Sequence, residues 1–120
     1  MLTIRREQLH AFGEAAAKIF EDHMVVRLGA AYPDSAAALG EDQLRRFIQR
    51  QVHRAAGCGI DGCLDLERYL LLAYGILQGL EESEHTPWMN AILEDQTLTP
   101  EGKVDRLEGE SLLLGIIRES

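Results

Sequence analysis

Covalent staples, aromatic mass and basic charge are all scarce in this chain. Its 120 residues include two cysteines, three prolines and 6% aromatic residues. Two cysteines cannot build the disulfide framework of a small secreted scaffold, so a reducing, cytoplasmic setting is the expectation. The N-terminal stretch lacks the basic, apolar and small-residue succession of a signal peptide. No apolar run reaches the roughly 20 residues that a membrane helix needs, so no membrane insertion is expected. Twelve Lys and Arg stand against 20 Asp and Glu, a net charge of −8. A polyanion would be repelled by that field, which argues against non-specific nucleic-acid binding. There is no internal repeat, and β-branched runs are short.

What remains is helix-forming. Leu, Ala, Glu and Arg are abundant, and these residues lose little on entering a helix. The length suits one domain, residues 1–120. The stretch Leu64–Leu80, LDLERYLLLAYGILQGL, organises the rest, because from Tyr69 to Leu77 it is apolar on every face. A helix that is hydrophobic all round sits inside something. Burying each Leu-, Ile- or Tyr-sized side chain there contributes roughly 1.5–3 kcal/mol. The expected fold is therefore all-α, a single-domain bundle of about four to five helices around a buried central helix at about 61–80.

Around that centre the chain divides at caps and glycines. Thr3 can cap a first helix. Leu9, Phe12, Ala16, Ile19, Phe20 and His23 recur at three- and four-residue steps and mark its buried face. His23 on that stripe reads as a core histidine satisfied by a carbonyl. The helix should stop near Ala31, ahead of Pro33, and Pro33–Gly40 reads as a turn with room for one loose helical turn in it. Gly40 starts a second helix with Glu41 and Asp42 in its first turn, where the dipole favours acids. Leu44, Phe47, Ile48, Val52 and Ala55 form its buried stripe, and Gly57 and Gly59 stop it. Asp61 is the expected cap of the central helix. Thr86-Pro87 and Thr99-Pro100 repeat one start signal, a capping threonine and then proline in the first turn. Trp88, Ile92 and Leu93 should point inward, as should Val104, Leu107, Leu114 and Ile117 on the last helix. Gly109 and Gly115 weaken that helix, which predicts a frayed or extended end.

Charge is segregated. Between Glu81 and Glu110 there are nine acids and two bases, while Arg45, Arg46, Arg50 and Arg54 crowd ten residues. Arg46, Arg50 and Arg54 follow a four-residue step and share a face. Charge runs are ordinarily solvated surface, but arginine is also enriched at interfaces because its fork bonds bidentately. The tail Leu112–Ile117, LLLGII, is a second candidate surface. Leu112, Leu113 and Ile116 cannot all face inward with Leu114 and Ile117, and exposed apolar patches mark interaction sites.

Chemical constellations are thin. His53, Cys58 and Cys63, with Asp65 nearby, carry thiol and imidazole donors for zinc, but not the two close-spaced pairs of a structural site. A disulfide between Cys58 and Cys63 is disfavoured in a reducing compartment. Glu7-x-x-His10 and Glu82-x-x-His85 match the pair used by di-iron bundles, yet the second lies in a polar loop. The further glutamates, Glu14 and Glu21, share a helix with Glu7. Ser35, Ser83 and Ser111 have no nucleophile elbow around them, and GCGIDG joins two helices instead of opening a phosphate loop after a strand. No catalytic, cofactor-binding or metal-ligating residue is assigned, and a small metal-binding helical protein remains the reading from another class.

One resemblance runs through most of the chain, about Ile4 to Leu107. It is carried by IRREQLHAF, FEDHMVVRL, LGEDQLRRFI, AAGCGI leading into DLERYLLLAYGIL, TPWMNAILED and LTPEGKVDRL. Together these resemble small helical proteins of Gram-negative bacteria encoded beside type VI secretion spike or effector genes. The resemblance implies no catalytic residues. It implies a protein-binding accessory, an adaptor or co-chaperone whose partner is a secretion effector or its loading chaperone. An immunity protein that neutralises a cognate toxin is the alternative, and self-association is the remaining possibility. The candidate partner-binding residues are Arg46, Arg50, Arg54, Leu112, Leu113 and Ile116.

Overall fold

A fully apolar stretch is satisfied only where other helices cover it, and the described residues form six helices, with the apolar one at their centre. The computed structural model describes residues 6–80 and 82–116, with side chains from residue 15 onward. In chain order the helices are α1 (Arg6–Ala31), α2 (Pro33–Leu39), α3 (Glu41–Gly57), α4 (Cys63–Leu77), α5 (Thr86–Leu93) and α6 (Pro100–Leu113). No strand occurs among the described residues. The radius of gyration, 13.7 Å, matches the roughly 14 Å of one globule of this length. No helix among the described residues is long and apolar enough to cross a membrane.

Helix α4 is the centre. Leu66, Tyr69, Leu70 and every residue from Leu72 to Leu77 are buried, against α1, α3 and α6. Its polar atoms are met by these neighbours and by α2. The Tyr69 hydroxyl donates to Gln51 Oε1 of α3 at 2.7 Å. The hydroxyls of Tyr74 and Ser35 of α2 share a hydrogen bond of 2.8 Å. Tyr32 donates its hydroxyl to the Leu71 carbonyl at 3.0 Å. The Tyr74 ring also lies 5.0 Å from Tyr32 and meets Phe47 edge-on at 5.3 Å.

Several local expectations shift. Pro33–Gly40 holds more than one loose helical turn: Pro33 in the first turn and three consecutive alanines make Pro33–Leu39 the seven-residue helix α2. Tyr32 before it leaves the helical region, as a residue ahead of proline must. On α1 the inward stripe is Phe20, Met24 and Leu28, one step from the expected register. Ile19 is 70% exposed, and His23 is a surface residue, not a core histidine. Asp61 does not cap α4. Gly62 holds that position without a side-chain bond, and Asp65 supplies the first-turn acid. Thr99 caps α6 as expected, accepting from the Gly102 N–H at 3.0 Å. Thr86 instead begins α5, and its hydroxyl accepts from the Ser83 N–H. The expected roles of Thr3, Leu9, Phe12 and Ile117 lie outside the described residues.

Two helices end in the same glycine cap. At the end of α3, Gly59 takes φ +89°, and Ile60 N–H bonds back to the Ala55 carbonyl at 2.9 Å. At the end of α6, Gly115 takes φ +72°, and Ile116 N–H bonds back to Ser111. In both, the residue after glycine folds onto the core, which is the hydrophobic contact of this motif. The α6 end is therefore capped, and Ile116 is packed inward.

Two glycines are expected to respond in opposite senses to alanine. At Gly79, φ is +78° and an added Cβ would meet Leu39 Cδ2 at 2.8 Å, so Gly79→Ala should destabilise by about 1–3 kcal/mol. Gly109 lies within α6 with nothing within 4 Å of its added Cβ, so Gly109→Ala should stabilise by about 0.5–1 kcal/mol. Urea midpoints at unchanged slope measure both.

Candidate functional site

Helix α3 presents three faces, and its arginines divide between them. Leu44, Phe47, Ile48, Gln51 and Ala55 point into the core. Arg45 leans toward α1, where its guanidinium bonds Glu21 and Asp22 and also its own helix neighbour Glu41. Gln49 adds a bond to Glu21 at 2.7 Å. Those three carboxylates hold the Arg45 guanidinium further into its charged form. In return, Glu21 sits below its ordinary pKa: burial pushes it up, but the bonds from Gln49 and Arg45 and the Arg45 charge outweigh that. Bonds from Arg45 and Lys18 likewise depress Asp22. This α1–α3 seam was not foreseen, because it needs Glu21 and Asp22 to lie beside a helix 23 residues further along.

On the opposite side run Arg46, Arg50 and Arg54, one turn apart. Arg46 is exposed, while Arg50 and Arg54 are half-buried. Among the described residues no carboxylate lies within 4 Å of Arg46 or Arg54, whereas Arg27, Arg45, Arg68, Arg106 and Lys18 all have one. Lys103, on α6, is buried and donates to the Cys58 carbonyl at 2.7 Å, where the open carbonyls of α3 end. This buried lysine escaped sequence reasoning too, since its role depends on α6 crossing the α3–α4 turn.

The apolar tip of α6 is a separate surface. Leu112 is 37% exposed, Leu113 82% and Leu114 54%. Leu114 thus faces outward, not with Val104 and Leu107, and Ser111 takes the inward position. Of the candidate apolar contacts, Leu112 and Leu113 are on the surface and Ile116 is packed against the core.

The remaining polar clusters are structural. His23 Nε2 lies 2.7 Å from Glu67 Oε1, and Arg27 donates to the other oxygen of Glu67, joining α1 to α4. Cys58 and Cys63 are free thiols. Burial and the Glu67 charge push the Cys63 thiol above its ordinary pKa, which disfavours the thiolate that reacts or binds metal. Among the described residues no group of three or more His, Cys, Asp or Glu could hold a metal ion. Glu7, His10 and Glu14 lie outside the described side chains. No protein-family model, curated protein or solved structure matches the chain.

The α1–α3 seam makes an acid-sensitivity prediction. Glu21 and Asp22 have depressed folded-state pKa values, so the unfolded chain binds more protons over the range between the two states. Their contribution is present above about pH 4.5 and is lost as pH falls through the folded values. Arg45→Met should therefore be less stable than the parent at neutral pH and lose less between about pH 5 and 3. Denaturant titrations across that range measure the difference.

Proposed function

We propose that this chain is a non-enzymatic protein-binding accessory, an adaptor or co-chaperone of a type VI secretion effector, that receives an acidic segment of its partner on the arginine face of α3. The observation that carries the docking reading is the state of Arg46 and Arg54. The chain has eight more acids than bases, and yet neither arginine has a carboxylate of its own within reach among the described residues. A planar fork with no carboxylate of its own, on the exposed Arg46 and the half-buried Arg54, suits a carboxylate from outside. The exposed leucines at the α6 tip offer a second, apolar contact of the kind that supports such docking. The secretion partner is supported by the resemblance of the segments from about Ile4 to Leu107.

A second reading, immunity, is favoured by the acidic surface of α6. Asp105, Glu108 and Glu101 are exposed there, and such a field would speed encounter with a basic toxin site. Co-expression with the neighbouring toxin separates the two: an immunity protein restores growth and an adaptor does not.

Pull-down from the native host is the direct test. The parent chain is expected to recover a secretion effector or its loading component, with less recovered at high salt. Arg46→Glu should weaken capture by about tenfold, with the fold intact by circular dichroism. Leu113→Asp should weaken it less. Recovery of no secretion component would overturn the secretion assignment. Capture indifferent to Arg46→Glu would overturn the docking face.

A further inference from the structure

The last arginine of the α3 stripe has an unusual position. Its Nε is buried without a hydrogen-bond partner, and so is the side-chain oxygen of Asn90 on α5. Both residues line one small pocket between α3, the end of α4 and α5, together with Gln51, Leu77, Thr86 and Met89. An orphaned buried donor or acceptor destabilises by about 1–3 kcal/mol, and a native fold rarely leaves two beside one cavity.

The chemistry of the lining narrows what can fill it. Arg54 Nε–H only donates, and Asn90 Oδ1 only accepts. Gln51 Oε1 is already engaged by Tyr69, so its amide NH₂ is what it can still offer. Thr86 Oγ1 accepts from Ser83 N–H, leaving its O–H to donate. The pocket therefore offers several donors and one committed acceptor. An anion would satisfy the donors but would face the lone pairs of Asn90 Oδ1. A group that both accepts and donates satisfies all of them. The space for it is about 10 Å³ measured at the centre of a water molecule, which is the lower bound for one water.

We propose that this pocket is a binding site for one structural water, which accepts from Arg54 Nε–H and donates to Asn90 Oδ1. The water fastens α5 to α3. Helix α5 has eight residues between two loops and packs chiefly on α6, so a polar tie to α3 restrains the side that apolar contact leaves weak. The same tie fixes the stem of Arg54. The site stands whether or not the α3 face docks a partner.

A double-mutant cycle in the full chain tests it, with Arg54→Met, Asn90→Leu and the pair, read as unfolding equilibrium constants. Each single change strands the water and should raise the constant about tenfold, while the pair should raise it well short of the roughly hundredfold product. Asn90→Leu should also speed amide exchange in Met89–Leu93 by more than in Leu66–Leu77, whose exchange rises only with the global unfolding constant. A crystal structure of the parent chain, at a resolution that shows ordered solvent, should place one water within hydrogen-bond distance of both atoms. An additive cycle would overturn the proposal. So would a dry pocket, a chloride in it, or a direct Arg54–Asn90 bond. The parent crystal structure decides the matter even if a variant fails to fold.

Discussion

The burial of the second half of α4, Leu72–Leu77 with Tyr69 and Leu70 before it, is the constraint from which the rest of the molecule follows. A stretch with no wet side must have each polar atom of its side chains met by a neighbour, because an unmet one costs about as much as a buried methylene or two contributes. Tyr69 requires an acceptor on α3, which explains why Gln51 is buried on an otherwise apolar face. Tyr74 requires a hydroxyl partner, and Ser35 supplies it from α2. That bond gives the seven-residue α2 a reason to exist. A helix so short has little stability of its own, and it is held by what it completes on α4.

Once the centre is apolar and satisfied, charge is confined to the seams between helices and to the outer faces. The basic residues bind helices to one another: Arg45 joins α3 to α1, Arg27 joins α1 to α4, and Arg68 joins α4 to Asp105 of α6 at 2.8 Å. Lys103 does the same without an acid, using the carbonyl end of α3 as its counter-charge, where the helix dipole is negative. Such contacts fix which helix lies beside which more than they add stability, since exposed ion pairs are each worth about 0–1 kcal/mol.

What could be read in the sequence was whatever depends on neighbours within a turn or two. The all-round apolar character of Tyr69–Leu77, the stops at Gly57 and Gly59 and the cap at Thr99 are of that kind. The register of α1 is not. Ile19 with His23 and Phe20 with Met24 both satisfy three- and four-residue spacing, and only the position of α4 decides that the second pair faces inward. Ile116 shows the same limit. Its inward fold depends on the left-handed turn at Gly115, which places the next residue on the core. The candidate site divides likewise. That Arg46, Arg50 and Arg54 share a face follows from spacing, but which arginines find carboxylates depends on helices far away in the chain.

The difference between Arg46 and Arg54 sharpens what the α3 face can be. Leaving Arg46 without a carboxylate costs the fold almost nothing, because its guanidinium is in water. Its fork can therefore stand ready for a partner's carboxylate at almost no cost to the fold. Arg54 is different, since a buried Nε–H must be met by something. If a partner's carboxylate were needed for that, the unbound protein would carry an unsatisfied donor at all times. A small polar group resident in the pocket removes this cost before any partner arrives, and leaves the outer nitrogens of Arg54 oriented on a fixed stem. A fork held in place loses less entropy when it engages a carboxylate, so the pocket between α3 and α5 would make Arg54 a better contact than a loose arginine.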